Sequence, residues 1–421
     1  MTATTTFPGS TPHPLRRDAS LMGLVGLAHM VSHFSQLLLP PLFPWLKDAF
    51  HVNYAQLGVL LTIFFVVSCS VQTLSGFLVD RVGPRPVLFA GIGLLGVAAF
   101  GYSISTSYTM LALFSALAGV GNGVFHPVDY TLLNRKIHSS RLGHAFSVHG
   151  ITGSLGWALA PAMMVSITLA FSWRIALASA GVLAFVVMIV LWFNRSHLTV
   201  DMTSAARPAA STTTKARVAD HSLGFLAIPA VWMCFGFFFL YAVVLSGVQA
   251  FAPEAARQLH DVPARWAALC LTFYMVATAG GMVLGGFLAS DPTRCEKIIA
   301  VGFGIAALIA LTLGFAPLSP MTVPVLFVVM GFAAGIAAPS RDLIVKRAAP
   351  PNATGRVYGV VYSGLDIGQA AAPLVFGPLM DMHRPADIWL GIAIVQGLMI
   401  ASAFNVGRVR RTPLAPAAAA A

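Results

Sequence analysis

Charged side chains are scarce in this chain. Asp, Glu, Lys and Arg make up 9% of its 421 residues, against ~25% in an ordinary soluble domain. Hydrophobic residues account for 57% and the mean hydropathy is +0.81. So little polar surface cannot cover a water-soluble globule of this length, and the apolar excess must face lipid. Cysteine is scarce as well. Cys69, Cys234, Cys270 and Cys295 stand singly, with no C-x-x-C pair, which excludes a disulfide framework or a thiolate metal site. The net charge of +11 never gathers into a basic stripe with interleaved aromatics, so no nucleic-acid partner is expected.

What the sequence has instead is long apolar runs, each able to cross a ~30 Å hydrocarbon core as a helix. Twelve are expected, at 21–46, 54–78, 86–106, 108–133, 144–171, 174–193, 224–251, 266–289, 298–316, 321–344, 357–380 and 387–406. With the first residue on the cytoplasmic side, only Lys47, Arg174, Arg257, Arg265 and Arg384 of the 25 basic residues fall outside. That asymmetry places both termini in the cytoplasm. The first run is too long for a signal-peptide core and no small-residue cleavage site follows it, so it is expected to remain as a membrane helix. Residues 195–222, rich in Ser, Thr, Ala and charge, read as a linker after six spans. The expected organisation is a tail (1–20), a six-helix bundle (21–194), the linker, a second six-helix bundle (223–406) and a tail (407–421).

The two halves repeat. Gly119, Gly123, Pro127, Arg135, Gly143, Gly156, Ala160 and Pro161 recur 212 positions later as Gly331, Gly335, Pro339, Arg347, Gly355, Gly368, Ala372 and Pro373. Gln36 and Pro40 recur as Gln249 and Pro253, and Gly76-Phe77-Leu78 as Gly286-Phe287-Leu288. Parallel halves of this kind are a known transporter architecture.

Between spans two and three the chain reads Gly76-Phe77-Leu78-Val79-Asp80-Arg81-Val82-Gly83-Pro84-Arg85, with a weaker copy around Asp291 and Arg294. This loop resembles the G-x-x-x-D-R-x-G-R/K motif of the major facilitator superfamily. The resemblance implies an all-α membrane protein of twelve transmembrane helices in two pseudo-symmetric bundles, with a small-molecule substrate held between them. It also implies that Asp80 accepts hydrogen bonds near the start of span eleven and holds the cytoplasmic side shut. A narrower resemblance, to the fosmidomycin-resistance branch, runs through Val124-Phe125-His126-Pro127, Pro339-Ser340-Arg341-Asp342, Gly355-Arg356-Val357-Tyr358 and Gly364-Leu365-Asp366. The chain departs from that branch at two places: His33 stands where the branch has Asp four residues after a first-span His, and Val128 stands where it has Glu after His-Pro.

Ionisable groups inside spans are costly and so are candidate functional groups. His29 and His33 are spaced i, i+4, with Gln36 three further on, which puts all three on one face of the first span. They suit proton or substrate handling, with helix–helix hydrogen bonding as the alternative. Two histidines supply half a tetrahedral zinc site, but no H-E-x-x-H and no partner carboxylate or thiol accompanies them, so neither metal nor cofactor is expected. Asp129, three residues after His126, and Arg341 occupy repeat-related positions. They suit a cross-bundle salt bridge made in one state, while Arg341 alternatively clamps an anionic substrate or pairs with Asp342. Asp366 lies about nine residues into span eleven, ~13 Å deep, and carries either a proton or a structural contact. His149, Tyr241, Gln249, Tyr274, Tyr362 and Gln369 are further cavity candidates.

Gly156-x-x-x-Ala160-Pro161 resembles a shortened antiporter signature of superfamily exporters, with Ser147 where an earlier glycine falls. Three apparent signals are discounted. Gly91-x-Gly93-x-x-Gly96 lies in a span without a preceding strand, the sequon at Asn352 faces the cytoplasm, and residues 415–421 are an alanine tail. The expected function is export of a small organic anion or drug-like molecule by a monomer in a bacterial inner membrane, with protons as coupling ion. Uptake of an organic acid and ligand sensing without transport are the alternatives, and a membrane enzyme is not expected.

Overall fold

The computed structural model describes residues 15–138, 141–200, 229–289, 294–348 and 354–411. Every regular element among them is helical. The first half contains α1 (Leu15–Gln36), α2 (Phe43–Phe50), α3 (Tyr54–Val82), α4 (Pro84–Ile104), α5 (Tyr108–Asn122), α6 (Phe125–Lys136), α7 (Leu142–Ala170) and α8 (Trp173–Phe193). The second contains α9 (Pro229–Ala250), α10 (Ala252–His260), α11 (Ala264–Leu288), α12 (Cys295–Phe315), α13 (Thr322–Ala348), α14 (Thr354–Asp381) and α15 (Pro385–Arg411). Eleven segments of the described residues, one of them running from α1 through α2, are long and apolar enough to cross a bilayer. The remaining expected span, span eleven at 357–380, is the continuous helix α14, which carries Asp366 in its middle.

Local chemistry accounts for the breaks. The expected first span divides after Gln36, where Pro40 and Pro41 begin a short 3-10 turn, and α2 ends on His51 in the left-handed region. Its repeat behaves alike: α9 stops at Ala250, Pro253 opens α10, and Asp261 ends it with φ 50°. Asn53 and Gln56 form a reciprocal capping box at the start of α3. At the other end of α3, Gly83 takes φ 84° in the motif loop and Pro84 starts α4, a turn that glycine adopts without steric cost.

Helix α1 starts at Leu15, inside the stretch expected as tail. The buried Asp18 makes this possible, because Arg141 at the start of α7 pairs with it (Nη2 to Oδ2 2.6 Å, Nε to Oδ2 2.8 Å). Helix α15 likewise continues to Arg411, past the expected boundary at 406.

Most of the repeated glycines inside the spans mark where helices nearly touch. A side chain at Gly119 would meet the carbonyl of Phe64, and one at its repeat Gly331 the carbonyl of Tyr274; Gly156 and Gly368 similarly face the carbonyls of Met30 and Phe239. Each bundle is thus closed by the same small-residue contacts. The bundles meet along α3 with α14 and α7 with α11. Asp381, at the end of α14, accepts from the backbone N–H groups of Tyr54 (2.7 Å) and Ala55 (2.8 Å), first-turn donors of α3 that have no acceptor within their own helix. Thr62 Oγ1 donates to the Ala370 carbonyl (2.7 Å), and Thr272 Oγ1 to that of Ala158 (3.1 Å). Large apolar side chains such as Phe77, Phe171, Phe193 and Phe287 are exposed on the outside, as a lipid-facing surface requires.

Candidate functional site

The i, i+4 spacing of His29 and His33 on α1 turns both rings into the amino-terminal bundle, their centroids 4.3 Å apart. Helix α6 presents His126 and Asp129, one turn apart, to the same place, and α7 adds His149. The His29 and His149 rings stack at 3.5 Å, and His126 lies 5.4 Å from His29. Asp129 is fully buried, with Oδ2 3.1 Å from His149 Nε2, which donates to it, and 3.1 Å from His29 Nδ1. Four histidines and one carboxylate therefore share one interior site, with His29, Asp129 and His149 buried and His33 and His126 partly so.

A neutral polar ring surrounds them. Trp157 Nε1 donates to Gln36 Oε1 (3.0 Å) and its ring lies 4.2 Å from His33. Ser32 donates to Asn122 Oδ1 (2.7 Å), Gln36 Nε2 approaches the same oxygen (3.4 Å), and Asn122 Nδ2 donates to Ser68 (2.8 Å). Asn122 ends α5 where span four breaks before α6, so the break delivers both an amide and the His126–Asp129 pair to the site.

His126 connects the cluster to the other bundle. Its Nδ1–H donates to Gln72 Oε1 (2.8 Å), and Gln72 Nε2 donates to Asp366 Oδ2 on α14 (3.1 Å). One amide of α3 thus touches a titratable group in each half. In the second bundle, the buried guanidinium of Arg341 lies over Tyr241 (4.3 Å) and Phe238 (5.0 Å). Gln369 Nε2 reaches Gln249 Oε1 at 3.5 Å, and buried Tyr274 lies on α11 where that helix meets α13.

The structure thus brings together His29, His33, Gln36, His126, Asp129 and His149, sets Tyr241 with Arg341, and places Gln249 and Asp366 at separate contacts. Asp129 and Arg341, expected as a cross-bundle pair, are each engaged within their own bundle in this conformation. The i, i+3 relation to His126 aims Asp129 at α1 and α7, and two aromatic faces hold Arg341. The expectation that no carboxylate accompanies the histidines is corrected: Asp129 lies between His29 and His149, supplied by a helix 100 residues further along the chain. Two trios, His29 with His33 and His126, and His29 with Asp129 and His149, keep one donor atom each within 4.8 Å of one another.

In the motif loop, Asp80, Arg81 and Arg85 are exposed, Gly76 is half-buried and Gly83 buried, and Arg85 donates to Thr199 (3.1 Å). Asp381 is seated on the start of α3 at the bundle interface, while residues 349–353, just before the helix whose start is the expected partner of Asp80, lie outside the described residues. Asp291 lies outside the described residues, as do the expected tails before Leu15 and after Arg411 and most of the linker. Sequence reasoning missed Gln72, Asn122, Trp157 and Asp18. Gln72 and Asn122 carried a signal, a polar amide inside an apolar run, whereas nothing in the sequence singled out Trp157.

Comparison with known proteins agrees with this architecture. The chain is 25% identical over 360 residues to the fosmidomycin resistance protein of Escherichia coli K12, covering 82% of this chain and 83% of that one. It is 24% identical over 388 residues to a probable nitrate/nitrite transporter of Mycobacterium tuberculosis H37Rv, covering 87% and 90%. Its fold matches a bacterial homologue of the human lysosomal transporter Spinster, in an inward-facing and occupied conformation, with TM-score 0.72, 16% identity and coverage of 97% and 100%. Residues 25–373 match the sequence profile of the Major Facilitator Superfamily, and the chain, a multi-pass membrane transporter rather than an enzyme, belongs to that family.

Proposed function

We propose that this transporter exports a small organic anion or drug-like compound in exchange for protons, its two bundles rocking about a central site. The observation that carries the reading is the contact of Gln72 with both His126 and Asp366. A carboxylate in the middle of an apolar helix is expensive to keep charged, so proton gain or loss at Asp366 is coupled to whether the Gln72 donor is present. Separation of α3 from α14 breaks that contact. Bundle movement and proton occupancy are then linked at one hydrogen bond.

Arg341 supplies a delocalised cation between aromatic faces, suited to a planar anionic group. The histidine cluster and Gln36 form the polar wall of the amino-terminal half. Under the positive-inside orientation, both termini are cytoplasmic in a bacterial inner membrane, and the Asp381 and Thr62 contacts seal the outer side. A monomer holds every group the mechanism needs. Similarity to a fosmidomycin resistance protein supports outward movement of a drug-like substrate.

The test is reconstitution in vesicles with a trapped pH dye, challenged in turn with fosmidomycin and small carboxylates, for wild type and Asp366→Asn. The reading expects a ligand-driven pH change that the substitution abolishes while labelled ligand still binds. Labelled ligand crossing with no proton movement would make the protein a uniporter. Binding without crossing would make it a sensor.

A further inference from the structure

The clustered histidines raise a question that proton coupling leaves open. Asp129 Oδ2 lies 3.1 Å from His29 Nδ1 and 3.1 Å from His149 Nε2. The second contact is an aligned hydrogen bond; the first is not, and the buried His29 Nδ1 has no hydrogen-bond partner. Asp129 Oδ1 and His33 Nδ1 are likewise buried without one. Buried polar atoms left without a partner are costly. Ring nitrogens and carboxylate oxygens that converge in this way are the donor set a cation satisfies, a bound ion displacing the proton that His149 Nε2 shares with Asp129.

The distances fit a particular cation class. A tetrahedral ion with bonds of ~2.0–2.1 Å holds its ligand atoms ~3.3 Å apart, close to the two 3.1 Å separations about Asp129. Three helices deliver the ligands from the interior of one bundle, as in metal sites built between helices. Imidazole with a single carboxylate favours Zn²⁺, Co²⁺, Ni²⁺ or Cu²⁺ over Mg²⁺ or Ca²⁺, which require mostly oxygen ligands. His126 stands beside this trio rather than in it, its Nδ1–H committed to Gln72.

We propose that His29, Asp129 and His149 bind one divalent transition-metal ion inside the amino-terminal bundle, with a fourth coordination position open to a small oxygen ligand. The inference does not depend on the direction of transport or on proton coupling, since it concerns donor atoms present within one bundle. It follows from tertiary placement alone, because His29, Asp129 and His149 lie on three different helices.

The experiment uses the full-length protein without a histidine tag, purified in detergent, stripped with chelator and titrated with Co²⁺ while its visible absorption is recorded. The proposal expects one Co²⁺ per chain, a four- or five-coordinate spectrum, displacement by Zn²⁺, and an X-ray absorption shell containing two imidazoles. Asp129→Asn and His149→Gln each weaken binding at least ~10-fold, whereas His144→Gln, an exposed histidine on α7, leaves it unchanged. No uptake by the wild type at millimolar Co²⁺ overturns the proposal, as does a bound ion with no imidazole in its shell. The wild-type spectrum decides the matter even where a variant fails to fold. No substrate or gradient is present, so failure here leaves the transport reading untouched, and the converse also holds.

Discussion

Gln72 donates to Asp366 across the two bundles, Nε2 to Oδ2 3.1 Å, while its amide oxygen accepts from His126. Gln72→Leu removes both partners at once and leaves the carboxylate in an apolar interface. The expected outcome is a loss of ~1–3 kcal/mol of stability and ligand-driven proton movement reduced to background. A double-mutant cycle with Asp366→Asn checks it: the two substitutions are non-additive because they break one contact.

Asp381 caps α3 from the opposite bundle, with two backbone N–H groups on one carboxylate. Asp381→Ala should destabilise this conformation by ~1–2 kcal/mol and expose the start of α3. Labelling of a cysteine placed at Ala55 reads the change, and Asp381→Asn retains part of the protection through its one remaining amide oxygen.

Gly156 faces the carbonyl of Met30 with no room for a side chain, whereas Gly143 on the same helix has open space. Gly156→Val should lower thermal stability in detergent by ~1–3 kcal/mol, the range for overfilled contacts. Gly143→Ala should leave it unchanged or slightly raised. Equal effects of both would remove close helix approach as the reason for the repeated glycine.

The Asp18–Arg141 pair ties the start of α1 to the start of α7, with Asp18 1% exposed. Removing one partner strands a buried charge, so Arg141→Gln should cost ~3–5 kcal/mol. Combining it with Asp18→Asn should recover much of the loss, measured as the midpoint of thermal unfolding.

Arg341 is held by its flat guanidinium over two rings. Arg341→Lys keeps the charge but loses the stacking and the fork of donors. Anion binding should therefore fall ~10-fold or more even with lysine, a difference that calorimetry with fosmidomycin or small carboxylates measures.

Much of this architecture follows from one-dimensional facts. Long apolar runs, the basic asymmetry and the repeat at 212 residues determine by themselves that the chain lies in a membrane as two related halves, because helix length and lipid thickness are matched along the chain. The spacing of His29 and His33 likewise settles that they share a face. Hydropathy could not locate the start of α1, since the polarity of Asp18 is cancelled by a partner 123 residues away. Nor could it foresee which groups meet Asp129, because its position in the repeat pointed to Arg341 whereas its helix face turned it toward α1 and α7. Spacing along a sequence specifies which side chains share a helix face. Only the way the helices assemble decides which faces meet, and that step put Asp129 between two histidines and Gln72 between the bundles.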